Sequence, residues 1–282
     1  MKKKCLIIAN TYNAESHALS DKVADFLLKR DIACELFLFS GREQLLQCCS
    51  DFDFAVTLGG DGTVLFAARV CAPHGIPIFA INLGLFGFIA GVQKTDWQLS
   101  LEQFLCGAVP AAARSMLCGC VYRGGHCVFE SIALNDFVVS SMTAVSLISV
   151  DVSYNTIPFG LFKADGVIVA TSTGSTSYSA AAGGPIIDPA LDVIVLSPIC
   201  AFSLSNRPVV LPADGMLSLH VLPSRDSGIV CKADGQVAYE LEPDDVVQIT
   251  IAAYKALLVD CSRQKFYGAL RSKLHWSGGI NA

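Results

Sequence analysis

The segment Phe52–Val70 reads FDFAVTLGGDGTVLFAARV. Phe54–Leu58 is a mostly apolar run of the kind buried on both faces of a sheet. Thr63–Cys71 carries its apolar residues at helical spacing. A buried strand that enters a helix through one short turn belongs to a parallel sheet covered by helices. The rest of the first third keeps the alternation. Cys5–Asn10, Ala33–Phe39 and Ile76–Ile81 read as strands, and Ser16–Arg30, Glu43–Cys49 and Asp96–Cys106 as helices. In Ser16–Arg30 the apolar side is Ala18, Val23, Phe26 and Leu27.

The texture changes near Ala111. Met116–Tyr122 and Cys127–Leu134 flank Arg123-Gly124-Gly125-His126, a hairpin signal. Val145–Tyr154 and Ile157–Phe162 flank a turn at Asn155. Val193–Ser197, Leu217–Leu222, Gly228–Ala233, Val246–Ala252 and Ala256–Cys261 continue the pattern. Regularly spaced short strands predict a mostly-β domain of stacked sheets. One helix interrupts it, from about Thr176 to Ala182, and Gly183-Gly184-Pro185 stops that helix. At 282 residues the chain has room for two domains. The expected division is an α/β domain over residues 1–112, a β domain over 113–262, and a tail over 263–282. The tail is basic from Arg263 to His275 and is expected to pack back on the first domain.

Composition removes several function classes. A formal net charge of −5 argues against a nucleic-acid-binding domain. The twelve cysteines would suggest disulfides in a short secreted chain. However, the apolar run after Met1-Lys2-Lys3-Lys4 ends at Asn10, short of the roughly 7–15 residues of a secretory leader. A reducing, cytoplasmic setting is expected, with cysteines acting as small core hydrophobes. Cys118-Gly119-Cys120 with Cys127 invites a metal reading. No Cys-x-x-Cys pair or spaced His pair completes it, and no metal site is assigned. Gly75–Gln93 is uncharged and long enough to span a bilayer. Its proline, asparagine and glycines fit a strand and a glycine-rich loop better, so a soluble protein with no membrane contact is expected.

Two segments carry chemistry. Gly59-Gly60-Asp61-Gly62 sits where a parallel strand hands over to a helix, the edge at which open α/β sheets bind ligands. The glycines permit positive φ and close backbone approach. Their amides, with the start of the helix and Thr63 as its N-cap, suit phosphates. An acid would repel those phosphates unless it has a chemical role. It can hold a divalent cation on a triphosphate, or take a proton from an attacking hydroxyl. The plain alternative is a turn in which Asp61 bonds its own backbone. No Walker-type or dinucleotide-fingerprint glycine motif is present. Gly84-Leu85-Phe86-Gly87-Phe88 follows the next strand, as a glycine-packed turn or, since the two strand ends would be neighbours, as a second wall of the same cleft.

The other segment is Thr171-Ser172-Thr173-Gly174-Ser175-Thr176-Ser177-Tyr178, after a strand ending at Ala170. One helix cap needs one hydroxyl, whereas six stand here before Tyr178. The excess points to a ligand's phosphate, ribose or base. Asn135-Asp136 interrupts the apolar run Ile132–Val139, as a strand end or as a pair reaching ligand hydroxyls. Lys232-Ala233-Asp234-Gly235-Gln236 reads as a hairpin turn.

Together these residues resemble the bacterial NAD kinase family. The match runs through Gly59-Gly60-Asp61-Gly62-Thr63, Asn82 through Phe88, Asn135-Asp136, Asp165-Gly166, Thr171 through Tyr178, Ser203 through Pro208 and Asp234-Gly235-Gln236. Diacylglycerol and sphingosine kinases share the first motif, and the hydroxyl-rich motif narrows the choice. The resemblance implies a Rossmann-like N-terminal α/β domain and a β-sandwich-like C-terminal domain, with the site in the crevice between them. It implies ATP-dependent phosphorylation of the adenosine-ribose 2′-hydroxyl of NAD to give NADP. Asp61 would be the proton acceptor, with Mg2+ or another divalent cation carried with ATP. It places Gly59, Gly60, Gly62, Thr63, Phe86, Asn135, Asp136, Asp165, Thr173, Thr176, Ser177, Tyr178 and Gln236 at NAD or ATP, and implies a homodimer or homotetramer. Three positions depart from the family pattern: Asp136 where Glu is commoner, Leu85-Phe86 where a basic residue is common, and Phe202 where His is usual. A lipid kinase and a non-catalytic dinucleotide-binding regulator are the alternatives.

Overall fold

A computed structural model describes residues 2–41, 50–84, 87–143, 146–203, 205–223 and 228–274. They fall into two compact units, one running to Arg114 and resuming at Tyr254, the other Ser115–Ala253. The first elements are β1 (Lys4–Asn10), α1 (Ala14–Leu28), β2 (Ala33–Phe39), β3 (Phe54–Gly59), α2 (Asp61–Cys71), β4 (Ile78–Asn82), β5 (Val92–Gln93) and α3 (Trp97–Leu105). There follow β6 (Ala111–Arg123), β7 (His126–Ala133), β8 (Asp136–Ser141), β9 (Ile148–Tyr154), β10 (Ile157–Ala164), β11 (Gly166–Thr171) and α4 (Tyr178–Ala181). The remainder are β12 (Val193–Ile199), β13 (Val209–Pro212), β14 (Leu217–Val221), β15 (Ile229–Ala233), β16 (Val237–Leu241), β17 (Val246–Val259) and α5 (Arg263–Lys273).

The first unit is the parallel α/β sheet its apolar runs demand. β3 pairs with β1 and β4, and β1 with β2, all in parallel. Every residue of β3 and β4 is buried, as strands covered on both faces must be. In α1, Leu19, Val23 and Leu27 form one stripe at four-residue spacing and pack on Ile7, Val56 and Ile81. Burial of each such side chain stabilises by about 1.5–3 kcal/mol. The Asn13 side chain caps this helix by accepting from Glu15 N–H. The second half of β17 returns to this unit, where Leu258 registers with Ile78 of β4. Residues 254–262, which the sequence pattern assigns to the β domain, therefore group with the first unit. The helix expected at Glu43–Cys49 lies outside the described residues. Among the described residues no helix is long and apolar enough to cross a membrane.

The second unit is antiparallel. One sheet runs β13-β12-β11-β8-β15-β16. Against it packs a layer in which β9 joins β10 and β14, and β14 joins β17. Phe137, Val139, Val167, Val169, Ile194 and Leu196 of the first sheet meet Val150, Val152, Leu217, Leu219, Val247 and Ile249 in one core. Each strand contributes alternate residues, the period of a pleated strand. The β6–β7 hairpin closes with Gly124 and Gly125 both at positive φ, the two-residue turn that Gly-Gly permits. The helix expected from Thr176 to Ala182 is shorter. A 3-10 turn over Gly174–Thr176 and the single turn α4 are separated at Ser177, whose backbone leaves the helical region.

Candidate active site

The turn after β3 divides its residues between packing and exposure. Gly59 is buried at the strand end, where a Cβ would overlap the Thr63 side chain. Thr63 is wholly buried and its Oγ1 accepts from Asn10 Nδ2 at 3.3 Å. Thr63 is therefore not the N-cap: α2 begins at Asp61, its cap is Gly60, and no side chain caps it. Nor are Gly59, Gly60 or Gly62 at positive φ. Close packing at Gly59 is the reason for glycine there. Gly60 and Asp61 are half-buried and Gly62 is exposed, at the start of α2.

Asp61 does not bond its own turn. Its Oδ2 accepts from Phe88 N–H at 2.8 Å, and its Oδ1 from Ile89 and Ala90 N–H at 3.3 and 3.1 Å. Three successive main-chain amides thus converge on one carboxylate from a distant segment. Gly87 allows this approach, since a Cβ would stand 2.7 Å from Asp61 Oδ1 and 3.5 Å from Asn82 Nδ2. Buried Asn82 holds the same loop by accepting from Gly84 N–H at 2.9 Å. Lys273 of α5 donates to Gly87 O. Burial draws the Lys273 ammonium below the ordinary lysine range, while the nearby Asp61 charge opposes that shift. Behind the loop lies a cavity of about 390 Å³ lined by Phe88, Gly91, Arg114, Lys265 and Phe266 among others. A carboxylate is an acceptor with about four lone-pair sites, so three amides leave one for a further donor.

A second carboxylate does the same for the loop before β8. Asp234 follows β15 at positive φ. Its Oδ2 accepts from Leu134 N–H at 3.0 Å, and its Oδ1 from Asn135 and Asp136 N–H at 2.7 and 3.3 Å. Asp136 O accepts in return from Asp234 N–H at 2.9 Å. Asn135 and Asp136 are both buried, at the junction of β7 and β8 rather than within one strand. Burial first, and the Asp234 charge second, pushes the Asp136 carboxyl up to about 7.

The hydroxyl-rich loop rests on this junction. Thr171 N–H donates to Asn135 O at 2.8 Å, and Thr171 Oγ1 donates to Leu134 O at 2.6 Å. At Gly174 a Cβ would overlap the Asn135 carbonyl, so only glycine fits. Ser175 and Thr176 hydroxyls return to the loop's own carbonyls, at Ser172 O and Thr173 O. Ser172 Oγ and Thr173 Oγ1 differ. Both are buried with no partner among the described residues. An unsatisfied buried hydroxyl costs about 1–3 kcal/mol, so each of these calls for a water or a ligand atom to complete its bonding. Ser177 and Tyr178 are exposed beside them.

The second unit thus brings Asn135, Asp136 and Thr173 together, with Thr176, Ser177 and Tyr178 following on the same loop. Gln236 stands two residues past the Asp234 clamp, its N–H donating to Ala233 O at 3.0 Å. Asp165, which the resemblance puts on the other side of the dinucleotide from these residues, precedes β11, whose other end carries Thr171, about 20 Å along the strand. Phe86 lies outside the described residues. Sequence reasoning assigns no individual role to Asn82, Ser172 and Asp234, although all three lie within the matched motifs, and does not single out Lys273. An Asp-Gly pair in a hairpin turn was the available signal for Asp234, but its target is about a hundred residues away and nothing local reveals it.

Comparison with known proteins finds relatives over nearly the whole chain. The family models for the ATP-NAD kinase N-terminal and C-terminal domains match residues 40–109 and 134–261. A relative from Treponema denticola named NAD kinase is 44% identical over 276 residues, covering 98% of this chain and 97% of its own. Among solved structures, yeast NADH kinase complexed with NADH superimposes with a TM-score of 0.87 at 18% identity, covering 99% of this chain and 89% of its own. An NAD kinase from Archaeoglobus fulgidus in complex with ATP gives 0.78 at 23% identity, covering 95% and 98%. The two structures share the fold. Neither the lipid-kinase nor the regulator alternative is supported by these relatives.

Proposed function

The chain belongs to the NAD kinase family, phosphotransferases with an alcohol acceptor, and on that premise we propose that it transfers the terminal phosphoryl group of ATP to the adenosine-ribose 2′-hydroxyl of NAD, giving NADP. The observation that carries the binding role is the pair of buried, unpartnered hydroxyls of Ser172 and Thr173 beside the clamped Asn135-Asp136 junction. Ribose and base offer the donors and acceptors those groups lack. Asn135 and Asp136 bind ribose hydroxyls, while Thr176, Ser177 and Tyr178 surround the adenine end.

Asp61 receives the acceptor hydroxyl on its remaining lone pair and takes its proton as the phosphoryl group arrives. The three amides that hold the carboxylate fix its direction, and phosphoryl transfer depends mainly on positioning and charge neutralisation. Gly60 and Gly62, at the start of α2, offer backbone to phosphates. Among the described residues no group of three ligating side chains surrounds Asp61. A divalent cation such as Mg2+ enters with ATP, as part of the substrate, and offsets the phosphate charge. A cytoplasmic location and a homodimer or homotetramer belong to the same proposal.

Incubation with ATP, Mg2+ and NAD should yield NADP. Asp61→Asn should lose about 10²-fold or more of the turnover while keeping NAD affinity, the scale of a lost general base. Near-native turnover in Asp61→Asn would refute the proton-acceptor role. Replacing ATP by polyphosphate and NAD by NADH in the same assay identifies donor and acceptor.

A further inference from the structure

The β6–β7 hairpin carries a cluster that the nucleotide chemistry does not use. Leu117 and Val121 of β6 point into the core, and Gly119 between them lies against the Phe137 ring. Alternation places Cys118 and Cys120 on the opposite face. In register, Glu130 of β7 stands directly across from Cys120. Cys118 Sγ lies 3.7 Å from Glu130 Oε1. The ligating atoms of Cys118, Cys120 and Glu130 all lie within 4.8 Å of one another, with the thiols half-buried and the carboxylate exposed.

We propose that Cys118, Cys120 and Glu130 form a binding site for a borderline-soft divalent cation of the Zn2+ class. Ligand atoms 2.0–2.3 Å from one tetrahedral Zn2+ are about 3.3–3.8 Å apart, and the Cys118–Glu130 separation of 3.7 Å already meets that spacing. The remaining atoms need only a small contraction. Two sulfurs and one oxygen suit Zn2+. They do not suit Mg2+, which takes oxygen ligands in an octahedron, so the nucleotide's cation is not drawn here. Spacing along the chain gives the cysteines no third ligand; the hairpin supplies it from across the ladder. The fourth position falls to water. The site ties two strands together on the outer face and is open to solvent at Glu130.

The test uses the full chain, reduced and chelator-treated, titrated with Zn2+ alone and with Co2+ as a spectroscopic probe. Wild-type protein should bind Zn2+ and show a thiolate-to-cobalt charge-transfer band in the near ultraviolet. The Cys118→Ser/Cys120→Ser variant should lose one equivalent and the band. Glu130→Gln should weaken binding by about tenfold or more. Cys106→Ser, a change at an exposed thiol of the other unit, should leave both unchanged. Zn2+ should raise the thermal midpoint of wild type and not of the double variant, and circular dichroism of metal-free samples reports whether the variants fold. NADP formation should be unaffected by the substitutions, which separates this site from the nucleotide reading. Equal Zn2+ uptake by wild type and double variant overturns the proposal, as does no uptake by wild type at micromolar Zn2+.

Discussion

Asp136 and the two orphan hydroxyls make opposite demands on the empty and the filled protein. With its carboxyl raised to about 7 from 3.8, folded Asp136 keeps a proton that the unfolded chain has lost between those values. The unfolded state binds fewer protons there, so stability falls as pH rises. This contribution is fully present below pH 3.8, is lost as pH passes about 7, and is on the order of 4 kcal/mol. Urea unfolding of ligand-free protein should show that decline. Asp136→Asn should flatten it, and an unchanged slope in the variant would remove Asp136 as its source. Ser172→Ala with Thr173→Val should leave ligand-free stability unchanged or raise it by about 1–3 kcal/mol per hydroxyl, while NAD affinity falls. Loss of stability together with unchanged affinity would make the hydroxyls structural. At this scale the sequence shows which residue types are in excess, since six hydroxyls exceed what capping requires. It does not show which are already satisfied, because Thr171 and Ser175 find partners only after folding.

Elements are legible where burial is two-sided. β3 and β4 are buried from end to end and mostly apolar, and can be read without a partner in view. Helix starts are less legible. Thr63 has the chemistry of a cap, but the helix starts at Asp61 and uses Thr63 for packing. The small residues after Thr171 tolerate a longer helix than the one that forms; side-chain bonds back to their own carbonyls shape two short turns instead. The consequence is rigidity at one glycine. Gly174→Ala would drive a methyl into the Asn135 carbonyl, a backbone atom that cannot rotate away. A cost of about 1–3 kcal/mol is expected, with NAD affinity reduced more than that of Ser177→Ala, whose side chain is exposed. Paired isothermal titrations and chemical denaturation would read both quantities.

For the molecule as a whole, the change of texture near Ala111 marks where strands and helices give way to strands alone, and the first compact segment ends at Arg114. The return of residues 254–262 to the first unit is hidden, because a strand's sequence does not name its neighbour. α5 adds burial of Phe266 and Leu270, worth about 1.5–3 kcal/mol each. Lys273 adds the bond to Gly87 O. Truncation after Ser262 should therefore lower the thermal midpoint and abolish turnover; full activity in the truncated protein would show that the Asp61 loop holds its shape unaided. The two carboxylate clamps also impose an order on biosynthesis. A ribosome that has finished the Asn135 junction has not yet made its clamp, which awaits Asp234, roughly a hundred codons on; the Asp61 carboxylate can be held once Ala90 is made, while the bond to Gly87 O awaits Lys273. The nascent polypeptide therefore lacks the finished surface of its second unit until translation has passed Asp234.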